Sequence, residues 1–343
     1  MRELNERRKC ILRAITDVYI DTAEPVGSTT IARKHNLGIS SATIRNEMAS
    51  LEEEGYVYQP HTSAGRVPSD KGYRYYVDVL LEIPEVTSEE YKKINQLAEY
   101  RKEAIEKTIR RTTKLLAELT EYVSVAVIPE HRNATFRHIQ LVPLDVHNIL
   151  VILVVDPGFI ENRVLSSSRA FSPEQLDEIS AYLNQQLRGK RGEALTKTLL
   201  SELNNIVPEA RGLISSITDI IQSVLTDAKD DVVVVDGLLN ILDQPEFQDL
   251  DRTKLVLSVL ENRKVLSKVL SSLSRSSGLT VQIGEENESP ELKDFSLVTA
   301  TYYHCGHNLG TIGLLGPTRM TYGRAMSLVK EVAMYLSELF DLL

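Results

Sequence analysis

Cysteine is scarce in this chain, which carries only Cys10 and Cys305 among its 343 residues. Two cysteines cannot form a disulfide framework, and reduced thiols are typical of the cytoplasm. No apolar run approaches the roughly 20 residues that a membrane-spanning helix needs. The charged opening MRELNERRKC also lacks the apolar stretch of a signal peptide. We therefore expect a cytoplasmic protein with no membrane partner.

The chain also lacks an internal repeat and a long low-complexity linker. Its composition, with 42% hydrophobic and 25% charged residues, is that of an ordinary globular protein. At about 150 residues per domain, the length indicates two or three domains.

Positive charge is not in excess either. The chain has 39 Lys and Arg against 48 Asp and Glu, a net charge of −9, which argues against indiscriminate coating of nucleic acid. Residues 1–80 hold 11 charges of each sign, so residues 81–343 carry the whole −9. Phosphate would repel this acidic body, which leaves residues 1–80 as the DNA-facing part. Because that part is neutral, we expect a local basic face and two copies acting together.

Residues 28–76 have the pattern of a helix-turn-helix followed by a β-hairpin. Apolar residues at helical spacing predict a first helix over 4–21, which the sequence EPVG at 24–27 ends. Ser28 is the predicted N-cap of a short second helix that ends at His35. A turn with Gly38 leads to the third helix, which matters most for function.

The third helix is predicted to run from a serine cap, Ser40 or Ser41, to about Glu54, where Gly55 stops it. Its apolar side would be buried, and the opposite side suits a major groove. That outward set consists of Ala42, Thr43, Arg45, Asn46 and Ala49. Arginine can bond guanine bidentately, asparagine can bond adenine, and small alanines permit a close approach.

Three further residues of the helix-turn-helix complete the DNA-binding set predicted there: Ser28, Thr30 and Ser41. Capping serines leave amides and hydroxyls for phosphate. The acidic run Glu52-Glu53-Glu54 argues that only the first two turns of the third helix enter the groove. A solvated surface helix that carries one Arg and one Asn is the alternative interpretation of this segment.

The hairpin is predicted from short strands over 56–60 and 66–68. Arg66, in the sequence SAGR, would reach an adjacent minor groove or phosphate from a flexible tip. An ordinary hairpin with a solvated arginine is the alternative, but its position after a helix-turn-helix favours a DNA-contacting wing. Lys71 and Arg74, in the tyrosine-rich segment that leads to a helix ending near Pro84, are candidate phosphate contacts.

The remaining sequence predicts an α+β body. A long helix over 88–121 would be a connector, a dimer seam or a helix that covers a sheet. Four strands at 122–128, 136–143, 147–155 and 159–166 look like one antiparallel meander. The elements predicted after them are helices at 173–188, 194–206 and 210–228, a strand at 232–236, a helix at 253–275, a strand at 279–284, a hairpin with strands SLVTATYYH and TIGLLGP, and a helix from about Tyr322.

The sequence His304-Cys305-Gly306-His307 could offer metal ligands or a Cys/His nucleophile pair. Structural zinc sites usually need four ligands, and no second Cys or His cluster completes this one. The spacing is also too tight for a usual catalytic dyad. We interpret the segment as a hairpin turn, and we predict no metal, no cofactor and no enzymatic activity.

The segment GSTTIARKHNLGISSATIRNEMASLEEEGYVYQPHTSAGRVPSDKGYRYYVD resembles the winged-helix domain of the heat-inducible transcription repressors of the HrcA family. The exit SAGRVPS…GYRYYVD is the discriminating part, and the tail GTIGLLGPTRMTYGRAMSLVKEVAMYLS is similar to the family's C-terminal block. The resemblance implies a dimeric repressor of groE and dnaK chaperone operons that binds an inverted-repeat operator on double-stranded DNA. It also implies a GAF-like body with an inserted dimerising segment, and activity maintained by the GroE chaperonin.

The predicted layout is a winged helix over 1–80, a connector helix over 81–121 and a GAF-like domain over 122–343 with a dimerising insertion at about 170–230. The first hypothesis is a homodimeric repressor of heat-shock chaperone genes. The second is a metabolite-sensing regulator whose GAF-like domain binds a small ligand. The third is an enzyme that uses Cys305.

Overall fold

The computed structural model describes residues 4–35, 37–61, 64–97, 105–128, 135–156, 159–167, 169–190, 210–226, 232–247, 258, 263–273 and 278–342. They form a mixed α+β protein with antiparallel sheets, which confirms the predicted class. None of the helices within these ranges is long and apolar enough to cross a membrane.

Residues 4–80, here called the N-terminal unit, contain four helices and a short hairpin. The elements are α1 (Glu6–Thr22), α2 (Ser28–Lys34), α3 (Ser41–Glu53), β1 (Val57–Tyr58), β2 (Val67–Pro68) and α4 (Asp70–Tyr75), which continues as a π-helical turn over Tyr76–Leu80. The first three helices bury their apolar sides in one core, which includes Ile11, Ile15, Ile31, Ile44 and Leu51. The predicted element order of this unit is therefore correct.

The start of α2 differs from the prediction. Gly27, and not Ser28, is the N-cap, and it contributes no side-chain bond. The Gly27 carbonyl accepts the hydrogen bond from the Thr30 N–H at 3.0 Å, so the first turn already begins there. Ser28 is the first helical residue, and it is buried.

The long helix predicted over 88–121 is two helices, α5 (Ser88–Gln96) and α6 (Ile105–Thr120). Both bury isoleucines, Ile94 and Ile105, in the core of the body. One continuous helix would hold these residues about 16 Å apart along its axis, whereas α5 and α6 contact each other. Residues 98–104 lie outside the described ranges.

The described residues of the body contain eight strands. They are β3 (Val123–Ile128), β4 (Thr135–Pro143), β5 (Asn148–Asp156), β6 (Phe159–Ser166), β7 (Val232–Asp236), β8 (Leu279–Ile283), β9 (Phe295–His304) and β10 (His307–Pro317). The central sheet has the order β7-β3-β10-β9-β8, and β4-β5-β6 form a second sheet. All neighbouring strands run antiparallel.

Helices cover both faces of the central sheet. Ala126, Val298 and Ile312 lie in one core with α6 and the C-terminal helix, which covers Tyr322–Asp341. Val125 and Leu297 alternate with them and pack on the other face, against a helix over Arg263–Leu273. The helix predicted over 253–275 is thus seen only in part, because residues 248–257 and 259–262 lie outside the described ranges.

The predicted four-stranded meander is wrong in its first member. β3 pairs with β7 and β10 in the central sheet, and only β4, β5 and β6 form the meander. Alternate residues of β3 are buried on its two faces, as with Val125 and Ala126, which requires a central position. β6 instead exposes Ile160 and Val164 on one face.

The second sheet packs against two further helices, here numbered α7 (Pro173–Leu187) and α8 (Arg211–Thr226). Phe136, Leu153, Leu183 and Ile214 belong to a core of their own, separate from those of the central sheet. The strands and the helices therefore form one unit.

This unit, here called the insertion, lies between β3 and β7, and its described residues fall within 135–226. Ile128 and Val232 are paired neighbours, so the chain leaves and re-enters the central sheet at one point. The dimerising segment predicted at about 170–230 stays a prediction, and the structure shows that β4–β6, which precede it, share the core of α7 and α8. The helix predicted over 194–206 lies outside the described residues.

We number the helix Arg263–Leu273 as α9 and the helix Tyr322–Asp341 as α10. The N-terminal unit shares a core with the body. Ile20 and Tyr73 lie in the same apolar cluster as α10, and the rings of Tyr73 and Tyr322 are 5.8 Å apart. Arg319 donates to the Ile20 carbonyl at 2.7 Å. The position of the N-terminal unit is thus fixed by packing and by hydrogen bonds.

Candidate nucleic-acid interface

The third helix, α3, begins with the serine cap that the sequence predicts. The Ser40 hydroxyl accepts a hydrogen bond from the Thr43 N–H at 3.1 Å, which satisfies one of the free amides of the first turn. Gly55, at φ +77°, follows the C-cap Glu54 and ends the helix. The bounds of α3 therefore agree with the prediction.

The outward side of α3 is the side that periodicity predicts. Its side chains Ala42, Arg45, Asn46 and Ala49 are exposed, and Ser41 and Thr43 are half-buried. The opposite side buries Ile44, Met48 and Leu51. Small and hydrogen-bonding side chains are thus presented together over about two turns of helix, while the apolar side fixes its rotation. Thr30, on α2, is half-buried.

Ion pairs with α1 help to fix the orientation of α3. Arg8 of α1 donates to Glu47 at 2.9 Å and also pairs with Glu54. The hydrogen bond to Glu47 is the main cause that raises the pKa of Arg8 above its ordinary value. Sequence reasoning missed this positioning role, because it treated the acidic end of α3 only as repulsive to DNA.

The backbone of the hairpin loop is joined to the segment that precedes α2. Val26 and Arg66 form a β-bridge with two N–H···O bonds of 2.9 Å. Gly65 makes the approach possible, since a Cβ there would lie 2.4 Å from the Val26 carbonyl carbon. Gln59 donates to the Ala64 carbonyl at 2.9 Å, which ties the loop to β1.

Arg66 is not at a flexible tip, as the sequence suggested. Its guanidinium forms an ion pair with Glu52 of α3 at 2.7 Å, and only 18% of the side chain is exposed. Arg66 is the last loop residue before β2, and its bridge to Val26 places it where this acidic partner is within reach. Arg66 therefore joins the hairpin to α3.

Lys71 and Arg74 also have protein partners. Lys71 is exposed, donates to the Glu54 carbonyl at 2.6 Å and lies 4.3 Å from the centre of the Tyr56 ring. It therefore helps to cap the C-terminal end of α3, where a cation is favourable.

Arg74 corrects the prediction most clearly. It donates to Glu286 at 2.5 Å, to the Val281 carbonyl at 2.6 Å and to Asp78 at 3.1 Å. The bonds to Glu286, as the largest favourable cause, raise its pKa above the ordinary value. Arg74 thus anchors the N-terminal unit to the body. Because its partner is distant in sequence, the local segment shows an arginine without its partner and suggested a phosphate contact instead.

A cleft of about 410 Å³ lies where α2, α3 and the hairpin meet. Its lining includes Ser28, Arg45 and Arg66. The structure therefore brings together the start of α2, the exposed side of α3 and the hairpin loop. Lys71 and Arg74 are not in this lining.

Known proteins match this chain over almost its whole length. A heat-inducible transcription repressor HrcA from Moorella thermoacetica is 42% identical over 98% of both chains. One with the same name from Desulforamulus reducens is 39% identical, over 99% of this chain and 98% of its own. The family model for the HrcA protein C terminal domain matches residues 106–326. The chain belongs to the HrcA family.

One solved structure supports the fold of this chain. It is described only as that of a hypothetical protein at 2.2 Å resolution, and it matches with a TM-score of 0.62 and 25% identity over 99% of both chains. The resemblance inferred from the exit segment and the C-terminal block is thereby confirmed.

The segment around Cys305 is a hairpin turn, as predicted. Cys305 and Gly306 form the turn, and β10 begins at His307, three residues before Gly310, where the loop CGHNLG that the sequence suggested would end.

Proposed function

We propose that this chain is a homodimeric winged-helix repressor that inserts α3 into the major grooves of an inverted-repeat operator. The exposed side of α3 carries the proposal. Arg45 suits bidentate bonds to guanine and Asn46 to adenine, while Ala42 and Ala49 allow close contact and can touch a thymine methyl.

The hairpin supports α3 in this scheme. Because Arg66 pairs with Glu52, the hairpin would act as a wing by its fixed position. The half-buried Thr30 and Ser41 would contact phosphate, which sets register but carries no sequence information, whereas the Ser28 side chain is buried. The winged helix would comprise residues 1–80.

Two copies are needed because the N-terminal unit has no net positive charge. The insertion offers a surface for pairing. One face of the β4-β5-β6 sheet packs on α7 and α8, and the other exposes apolar residues, among them Ile160 at 66% and Val164 at 58%. Exposed apolar patches of this kind are typical of protein interfaces. We propose that the insertion forms the dimer and thereby sets half-site spacing.

The body would be the GAF-like domain, over 122–343, with α5 and α6 of residues 81–121 packed on it. Its five-stranded antiparallel sheet and flanking helices support this assignment. We propose that the regulated genes are heat-shock chaperone operons, as the names of the relatives suggest heat control of transcription. We also propose that the GroE chaperonin maintains the DNA-binding form. The core shared by body and N-terminal unit supports this, since unfolding of the body would remove part of the packing that positions the N-terminal unit.

Footprinting of the full chain on its own chaperone promoter, with and without chaperonin, tests the scheme. Two protected half-sites in an inverted repeat, with occupancy increased by chaperonin, are the expected result. Protection of one half-site only, or none, would contradict the dimeric repressor.

Arg45→Ala tests the exposed side of α3. We expect a loss of about 1–3 kcal/mol in specific binding and relaxed discrimination at one base pair. Arg110→Ala, which removes an exposed arginine of α6, is the matched control and should leave binding unchanged. Equal losses on operator and random duplex would show that Arg45 contacts only phosphate.

A further inference from the structure

The turn between β9 and β10 lies against the end of α10. The Cys305 N–H donates to Asp341 Oδ1 at 2.6 Å, and His304 Nδ1 lies 2.7 Å from the Phe340 carbonyl oxygen. Cys305 and Gly306 have φ values of +48° and +77°, as a type I′ turn requires. Two segments that are distant in sequence are thus in direct contact.

Three metal-binding side chains meet at this contact. His304, Cys305 and Asp341 each offer a ligand atom, and these atoms all lie within 4.8 Å of one another. Ligand atoms on one tetrahedral zinc ion lie about 3.3–3.8 Å apart, given bonds of about 2.0–2.3 Å. A contraction of roughly 1 Å would complete the set.

The side chains can make that adjustment at little cost. Cys305 and Asp341 are exposed, so their rotation disturbs no core packing. His304 is only 17% exposed, and its hydrogen bond to Phe340 fixes the orientation of the ring. A histidine that donates one ring N–H to a backbone carbonyl keeps a lone pair on the other nitrogen, which is the common state of metal-binding histidines.

We propose that His304, Cys305 and Asp341 form a binding site for a zinc-class divalent cation. Thiolate, imidazole and carboxylate together suit Zn²⁺ and Co²⁺ and disfavour Mg²⁺ or Ca²⁺. Binding replaces the thiol proton of Cys305, which is released to solvent, and water fills the fourth position. The ion joins the β9–β10 turn to the end of α10.

The sequence alone does not indicate this site. Asp341 is 36 residues from Cys305, and only the packing of α10 along β9 brings the carboxylate to the hairpin. The sequence HCGH offers its cysteine and histidines too close together to suggest a complete ligand set. The proposal does not depend on DNA binding, so it and the proposed function can fail separately.

Cobalt titration of the reduced full-length chain tests the proposal. Co²⁺ should bind at one equivalent per chain and give a thiolate-to-cobalt charge-transfer band. Zn²⁺ should abolish the band and raise the melting temperature, because it binds the native state. A chain that gives no thiolate band with Co²⁺ would overturn the site.

Matched variants locate the ligands. Cys305→Asn should abolish the band while keeping the turn, because asparagine adopts positive φ readily. Cys10→Ser, which removes the other exposed cysteine, should retain it. His304→Gln and Asp341→Asn should each weaken Co²⁺ binding at least about tenfold. A band that survives Cys305→Asn, or that disappears with Cys10→Ser, assigns the metal elsewhere, and unchanged affinity in Asp341→Asn removes the role of the helix end.

Discussion

Asp70 lies where the N-terminal unit meets the body. Its carboxylate contacts Gly284, where a Cβ would come within 2.2 Å of an Asp70 oxygen, and it accepts a hydrogen bond from the Glu285 N–H at 3.0 Å. Burial is the main cause that raises the pKa of Asp70 above its ordinary value, and the nearby carboxylates of Glu285, Glu286 and Asp294 raise it further. The ionised group therefore destabilises the junction slightly.

The pH dependence follows from this direction. In the unfolded chain the pKa of Asp70 is about 3.9, and in the native state it is higher. Between the two values the native state holds a proton that the unfolded state has released, so stability falls as pH rises through that interval. Above this pH interval the ionised Asp70 destabilises the native state by the full amount.

Asp70→Asn should therefore raise stability at pH 7 by about 0.5 kcal/mol and have little effect at about pH 3. Asparagine keeps an oxygen that can accept the Glu285 hydrogen bond. Urea unfolding at both pH values measures the effect. Asp219→Asn, at an exposed position of α8, is the control, and an equal gain in both variants would contradict the explanation.

The arginines of the N-terminal unit show what sequence can and cannot predict. The exposure of Arg45 follows from the helical period and the buried Ile44 and Met48, all of which are local. Arg74 depends on Glu286, which is 212 residues away. Local patterns identify which side of a helix faces outward, but they do not contain the partner of a long-range ion pair.

At the scale of elements, β3 and β6 show the same limit. The run YVSVAVI is apolar on both faces, which is typical of a strand inside a sheet, whereas FIENRVLS carries three polar residues at its centre. The existence of every described strand was predictable from such patterns. The assignment of β3 to the central sheet was not, because its partner β7 lies beyond the whole insertion.

Gly65→Ala tests the hairpin as an element. The added Cβ would lie 2.4 Å from the Val26 backbone, so the hairpin must move away from α2. We expect about 1–3 kcal/mol of lost stability and at least about tenfold weaker operator binding. Fluorescence anisotropy and urea unfolding measure the two effects.

Gly212→Ala is the matched control for this change. No atom of the described residues lies within 4 Å of the added Cβ at this position in α8, and alanine should stabilise the helix by up to about 1 kcal/mol. Normal operator binding by Gly65→Ala would show that the wing position does not matter.

At the scale of the whole molecule, the N-terminal unit and the body share one core. Ile20, Tyr73 and Tyr76 pack in the same cluster as Val298 and Ile312 of the central sheet. We expect DNA binding and body structure to be lost together on heating, since neither part can expose its side of the core alone without cost.

Arg319→Ala should weaken this connection. The guanidinium donates to the Ile20 carbonyl at 2.7 Å, to Glu246 at 2.5 Å and to Gln244 at 3.3 Å. Its removal leaves these acceptors unpaired and should cost about 2–3 kcal/mol. Circular dichroism and operator binding, followed through the same thermal transition, measure the loss.

Arg163→Ala, in the insertion, is the control, because an exposed ion pair contributes about 0–1 kcal/mol. If Arg319→Ala had no larger effect than this control, the arginine would not hold the two parts together.

Because Ile128 and Val232 are paired, the insertion can be deleted without separating β3 from β7. Paired residues on antiparallel strands have Cα atoms about 4.5–5.5 Å apart, so a two-residue Asn-Gly turn can close the gap left by residues 129–231. We expect the shortened chain to fold, to be monomeric by light scattering and to bind a single half-site. Such a chain would separate recognition of DNA from symmetry, and the same junction could accept a foreign dimerisation module to reprogram operator spacing.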